Sequence, residues 1–214
     1  MTTQGHYKPV IVLDVGKVLV DFDHKLVLDE LSRRCGREIV LPPPLDLDRL
    51  FFPVCVGAKS WEVILHKINN ALGVSLEVGE WRDLWCRIFT GEMPGMREVL
   101  AELKGQFRLV ALSNTDEVHW TFLLRNYPIF GLLDGWVVSY REAVTKPDPA
   151  IYRAVVDRYC DGRPPVFYTD DNPQYVEAAR GLGWDAEVFS DTVRFKEQVR
   201  KRLAKELYGR NALL

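Results

Sequence analysis

Three short apolar and aromatic runs each stop abruptly at side chains that carry oxygen. Val10-Ile11-Val12-Leu13 ends in Asp14, Leu109-Val110-Ala111-Leu112 in Ser113-Asn114-Thr115, and Val166-Phe167-Tyr168 in Thr169-Asp170-Asp171-Asn172. A strand with one wet face alternates apolar and polar residues, whereas a strand covered on both faces does not. The runs therefore predict buried strands of a parallel sheet. Gly135-Trp136-Val137-Val138-Ser139 and Ala186-Glu187-Val188-Phe189 add two further strand candidates.

Helical patterns lie between these runs, at 96–104, 116–125, 149–158 and 173–182, the last closed by Gly183. Strand and helix alternate, so the expected core is an α/β layer with a doubly wound parallel sheet. Residues 191–207 read as a closing amphipathic helix, with Phe195, Val199, Leu203 and Leu207 four apart and its basic residues on a solvated face. Residues 22–92 break the alternation. Apolar positions there recur at helical spacing in Leu26-Val27-Leu31, Trp61-Ile64-Leu65-Ile68 and Trp81-Leu84-Trp85-Ile88, and Pro42-Pro43-Pro44 separates the first helix from the rest. The expected organisation is an α/β core of residues 1–21 and 93–214 carrying an inserted α-helical cap over 22–92.

With 214 residues, 47% of them hydrophobic, the chain can bury a large core without covalent staples. Its 28 basic and 30 acidic side chains nearly cancel, so no global field favours nucleic acid or an acidic membrane surface. Cys35, Cys55, Cys86 and Cys160 show neither a CxxC pair nor a zinc-ligand spacing, and the N-terminus lacks a signal-peptide pattern. The expectation is a soluble cytoplasmic protein with reduced thiols, no nucleic-acid or membrane partner, and a monomeric or homodimeric state.

In open α/β sheets ligands collect outside the carboxyl ends of the strands. The strand reading brings Asp14, Ser113, Asn114, Asp170 and Asp171 to that edge, and Lys146 follows the strand at Val137-Val138. Carboxylates gathered from separate strands repel one another unless a cation lies between them, and hard oxygen ligands suit Mg²⁺. A lysine in the same cleft offsets further negative charge, and hydroxyl and backbone N–H groups at the Ser113 turn suit phosphoryl oxygens. These are parts for a carboxylate nucleophile attacking phosphorus.

At this point the chain resembles the haloacid dehalogenase (HAD) superfamily of hydrolases. Four segments look like its motifs, in order: Leu13-Asp14-Val15-Gly16-Lys17-Val18-Leu19, Leu112-Ser113-Asn114-Thr115, Thr145-Lys146-Pro147-Asp148 and Tyr168-Thr169-Asp170-Asp171-Asn172. The insertion is similar to the family's C1-type helical cap. The resemblance implies that Asp14 forms an aspartyl-phosphate, Ser113 hydrogen-bonds the phosphoryl group, Asn114 helps orient it, and Lys146 offsets charge. It also implies Mg²⁺ held by Asp14, the Gly16 carbonyl and Asp171, with Asp170 a ligand or the partner of one. Where the family's commonest pattern has a second aspartate as general acid and base, this chain has Gly16. That departure looks most like a sugar-phosphate phosphatase-like subgroup reading Asp-x-Gly-Asn-Val, with Lys17 in the asparagine position.

The expected function is a Mg²⁺-dependent phosphatase of a small phosphorylated metabolite such as a sugar phosphate. Two rivals stand beside it: a 2-haloacid dehalogenase, and a phosphate- or metabolite-binding regulatory protein weakened by Gly16. Lys17 either binds an anion in the cleft or pairs with a carboxylate. Trp61, Trp81 and Trp85 are expected to pack the cap rather than meet substrate. His6, His24, His66 and His119 have no ligand spacing, although His24, with Asp21 and Asp23, lies where a hinge or a missing proton donor is wanted.

Overall fold

The computed structural model describes residues 8–40 and 47–211, with side chains described at 8–40 and 49–202. His6, the Pro42-Pro43-Pro44 run and the side chains of Leu203 and Leu207 lie outside that set. In chain order the elements are β1 (Val10–Leu13), β2 (Val20–Phe22), α1 (Lys25–Cys35), α2 (Leu47–Cys55), α3 (Trp61–Leu72), α4 (Val78–Trp85), β3 (Phe89–Glu92), α5 (Met96–Leu103) and β4 (Arg108–Ser113). Then follow α6 (Glu117–Asn126), β5 (Gly135–Val138), α7 (Ser139–Glu142), α8 (Pro149–Tyr159), β6 (Phe167–Asp170), α9 (Pro173–Gly181), β7 (Ala186–Val188) and α10 (Thr192–Asn211).

The five core strands form one parallel sheet in the order β5-β4-β1-β6-β7. β1 is central, and the chain winds outward from it first on the β4 side and then on the β6 side. This reversal opens a crevice at the carboxyl end of β1. Side chains alternate between faces. Ile11, Leu13, Leu109 and Ala111 pack with Leu100, Trp120 and Phe195 on one side. Val10, Val12, Val110 and Leu112 pack with Ile151, Tyr152 and Trp184 on the other. Both faces are buried, which is why these strands read as unbroken apolar runs.

The helices of the insertion, α1 to α4, bury a cluster of their own, with Leu31, Phe51, Trp61, Ile68, Trp81 and Trp85 at its centre. The three tryptophans are nearly fully buried within it. Sequence periodicity does not reveal the short antiparallel ribbon of β2 against β3, which joins insertion to core. Its three-residue first strand, with Asp21 at the middle, is too short to show a period. The expected boundaries at 21/22 and 92/93 fall in and directly after this ribbon. No described helix is long and apolar enough to cross a membrane.

Tight packing extends to the sheet edge. A Cβ at Gly135 would lie 2.3 Å from the Tyr159 ring, whose hydroxyl bonds the backbone of Trp136 at 3.2 Å. Gly135→Ala is expected to cost about 1–3 kcal/mol through this overlap. Urea unfolding measures it, and an unchanged midpoint would contradict the close packing described here.

Candidate active site

The crevice is a cavity of about 570 Å³ between the carboxyl ends of the strands and the helical insertion. Asp14, Gly16, Ser113, Asn114, Lys146 and Asp171 all line it. Asp14 leaves β1 with its backbone N–H on the Thr169 carbonyl at 2.9 Å, which continues the ladder and aims the side chain into the crevice. Ser113 ends β4 and is buried. Asp170 ends β6, and Asp171 follows it.

Lys146 is the hub. Its ammonium, only 3% exposed as a residue, donates to Asp14 Oδ1 and Asp170 Oδ2, both at 2.6 Å, and to the Leu112 carbonyl at 3.1 Å. Burial alone would lower its pKa, but the Asp14 and Asp170 carboxylates hold it above the ordinary lysine value. Asn114 fixes the lysine's backbone by a reciprocal pair: its Oδ1 accepts from Lys146 N at 2.8 Å, and its Nδ2 donates to the Lys146 carbonyl at 3.0 Å. The amide expected to orient substrate is thus engaged in holding Lys146.

Carboxylate oxygens of Asp14, Asp170 and Asp171 lie within 4.8 Å of one another. One ammonium cannot neutralise three carboxylates, of which Asp14 and Asp170 are buried and Asp171 is exposed. Burial, reinforced by the Asp170 carboxylate and opposed by Lys146, pushes Asp14 up to about 7. Asp171 is also raised, by burial first and Asp170 second. Asp170 is the most fully committed of the three. Oδ2 takes Lys146 and the Tyr168 hydroxyl, and Oδ1 accepts the Asn172 N–H at 2.9 Å. Asn172 caps α9 through its bond from Gln174 N. Asp14 and Asp171 are therefore the pair best able to hold a divalent cation.

Two expected residues meet different surroundings. Lys17 bonds Asp21 Oδ1 at 2.5 Å and the Phe22 carbonyl at 2.6 Å and lies over the Phe22 ring, so it pairs with a carboxylate outside the cavity lining. Gly16 lines the cavity, but a Cβ on it would come within 2.7 Å of Phe22 Cε1. The aromatic ring fills the space a side chain at 16 would need.

Other participants went unrecognised in the sequence. Tyr168 reads as a strand residue, yet it lies two positions before Asp170 and so shares its face of β6, a signal available from period two alone. The second is a bolt between insertion and core. Asp116 N-caps α6 through Val118 N and His119 N, at 2.8 and 3.1 Å, and its other oxygen accepts the Trp85 indole N–H at 2.8 Å. The His119 ring stacks on Trp85 at 4.5 Å, and its Nε2 lies 2.9 Å from the Trp85 carbonyl. Nothing in sequence spacing links residues so far apart.

Two outcomes follow. Asp116→Ala removes a helix cap and strands a buried indole N–H, so a loss of about 2–4 kcal/mol is expected in urea unfolding; a loss within experimental error would show that the bolt carries no weight. For Asp14, the ordinary value is 3.8 and the folded value about 7, so between these the folded state binds more protons than the unfolded. Its contribution to stability then falls as pH rises across that window and levels above it. In chelator, the wild type should lose stability relative to Asp14→Asn from pH 4 to 7, and parallel pH profiles would contradict the raised value.

The haloacid dehalogenase-like hydrolase family model matches residues 9–183. A HAD family enzyme from Bacteroides thetaiotaomicron, in a complex with magnesium and inorganic phosphate, is 20% identical, with a TM-score of 0.72 over 86% of this chain and 95% of that one. A predicted HAD-like family hydrolase from Porphyromonas gingivalis is 18% identical, with a TM-score of 0.69 over 92% and 98%. L-2-haloacid dehalogenase from Xanthobacter autotrophicus, with chloropropionic acid covalently bound, is 18% identical, with a TM-score of 0.59 over 94% and 83%. At these identities the likeness is one of fold.

Proposed function

The chain belongs to the haloacid dehalogenase-like hydrolase family, and from that premise we propose that it is a Mg²⁺-dependent phosphatase of a small phosphorylated metabolite. The observation that carries this reading is the charge imbalance: three carboxylates cluster where one buried lysine pairs with only two of them, Asp14 and Asp170. A hard divalent cation suits that imbalance, and Asp14, Asp171 and the Gly16 carbonyl would hold it, with Asp170 as the anchor of Lys146. When bound, Mg²⁺ would neutralise phosphate charge and keep Asp14 ionised.

In this mechanism Asp14 attacks phosphorus, the P–O bond to the organic group breaks, and an aspartyl-phosphate forms. Lys146 holds the Asp14 carboxylate through Oδ1, and it offsets charge that develops on the phosphoryl group. The Ser113 hydroxyl, at the end of β4, hydrogen-bonds a phosphoryl oxygen. Asn114 acts on substrate only through the position it gives Lys146. Water then attacks phosphorus, releasing phosphate and restoring Asp14. The helical insertion serves as a cap that limits access of bulk water.

Gly16 supplies no proton to the leaving oxygen, and Phe22 occupies the adjoining space. Loss of a general acid typically costs about 10²–10⁴-fold, so turnover should depend steeply on leaving-group acidity. The same observation favours a second reading, a phosphate-binding protein with little turnover. Mg²⁺ and phosphate binding by calorimetry, without hydrolysis across a broad panel, would select it.

Asp14→Asn is expected to abolish phosphate release from an aryl phosphate, and chelator should silence the wild type. Unchanged turnover in Asp14→Asn would overturn the assignment. Halide release from a 2-haloacid that survives chelator would instead favour dehalogenation, the activity borne by one fold relative.

A further inference from the structure

We propose that the organic part of the substrate is a flat, weakly polar group, of the benzyl or fused-ring class, rather than a polyhydroxylated sugar; this rests on the phosphatase reading of the site. The cavity is lined by two unlike sets of side chains: the charged Asp14, Lys146 and Asp171, and the rings of Phe22, His24, Phe51, Trp85, Phe89 and His119. Phe22, His24 and Phe89 are half-buried and line the cavity. Around Trp85 the rings share one orientation. Phe51 stacks on Trp85 at 3.8 Å and 18°, His119 at 4.5 Å and 11°, and His24 at 5.8 Å and 20°. A planar ligand can lie along such walls, gaining offset or edge-to-face contact beyond its area alone.

Several polar groups around the cavity are committed to the fold, while the hydroxyls of Ser113, Thr145 and Tyr175 also line it. A sugar's hydroxyls need partners of their own, because a buried hydroxyl left unpaired loses its water bonds without replacement. Asn114 spends its amide on the Lys146 backbone. Asp116 spends both oxygens on α6 and the Trp85 indole, and His119 Nε2 meets the Trp85 carbonyl. Asn172 gives its oxygen to Gln174 N. These commitments hold the fold together, so they are not available for exchange with a sugar.

The experiment uses the full chain with Mg²⁺ and compares primary alkyl phosphates of matched leaving-group reactivity. Naphthylmethyl and benzyl phosphate should exceed glucose 6-phosphate in kcat/KM by about 10-fold or more, chiefly through KM. Phe89→Leu keeps apolar volume but removes the ring, and Phe52→Ala alters a cavity residue that is 52% exposed and so carries little folding load. Phe89→Leu should cut the aryl preference about 3-fold or more, and Phe52→Ala should change it in the same direction. A second arm, independent of turnover, is calorimetry with benzylphosphonate against methylphosphonate. Tighter benzylphosphonate binding without hydrolysis of any ester would sink the phosphatase reading but support the ligand class. Preference for glucose 6-phosphate, or equal binding of the two phosphonates, would overturn the inference while leaving the phosphatase reading intact.

Discussion

The Lys146 ammonium, wedged between Asp14 and Asp170 and capped by the Leu112 carbonyl, joins three separate strands of the sheet at one atom. Removing one partner from a buried ion pair leaves an uncompensated charge, typically costing about 3–5 kcal/mol. The surroundings of the lysine are built to hold it: Asn114 grips its backbone, and Tyr168 and the Asn172 N–H occupy the rest of the Asp170 carboxylate. Asp14 is left with one oxygen held and a surplus of negative charge around it. The local electrostatics that strain this carboxylate are the same that make the crevice suited to a cation and to the phosphoryl chemistry proposed for it.

A second dependence runs from Trp85. Its indole N–H reaches Asp116, the cap of a core helix, while its ring carries Phe51 from the insertion and His119 from the core. A single side chain thus ties the packing of the insertion to the helix that follows Ser113-Asn114-Thr115. Gly16 and Phe22 form a smaller example of the same economy, since the missing Cβ and the ring occupy one volume. A side chain at position 16 would require the Phe22 ring to move.

The fold was legible where burial is symmetric. Strands covered on both faces lose their polar alternation, and the runs at 10–13, 109–112 and 166–168 mark β1, β4 and β6 to within about two residues at each end. The helices were legible from period, whereas their caps Asp116 and Asn172 emerged only in the structure. The β2–β3 ribbon was not, because strands of three and four residues carry too little pattern. In the site, the gathering of Asp14, Ser113 and Asp171 followed from strand ends, with Lys146 in the connection beyond β5 and α7, whereas Lys17 had two open readings that only its contact with Asp21 separates. Asn114 was legible as a site residue but not in its employment, since an amide's partners depend on what lies opposite.

By itself the sequence determined which carboxylates and hydroxyl meet at the head of the sheet, because Asp14, Ser113 and the Asp170-Asp171 pair end apolar runs and a parallel sheet must align those ends. Only the tertiary structure decided how those groups divide their bonds. Lys146 takes Asp170 as well as Asp14, Asn114 serves the lysine, and Phe22 fills the place beside Gly16. Hydrogen-bond capacity and occupied volume are properties of neighbours in space, and residues such as Trp85 and Asp116, 31 positions apart, become neighbours only when insertion and core close on each other.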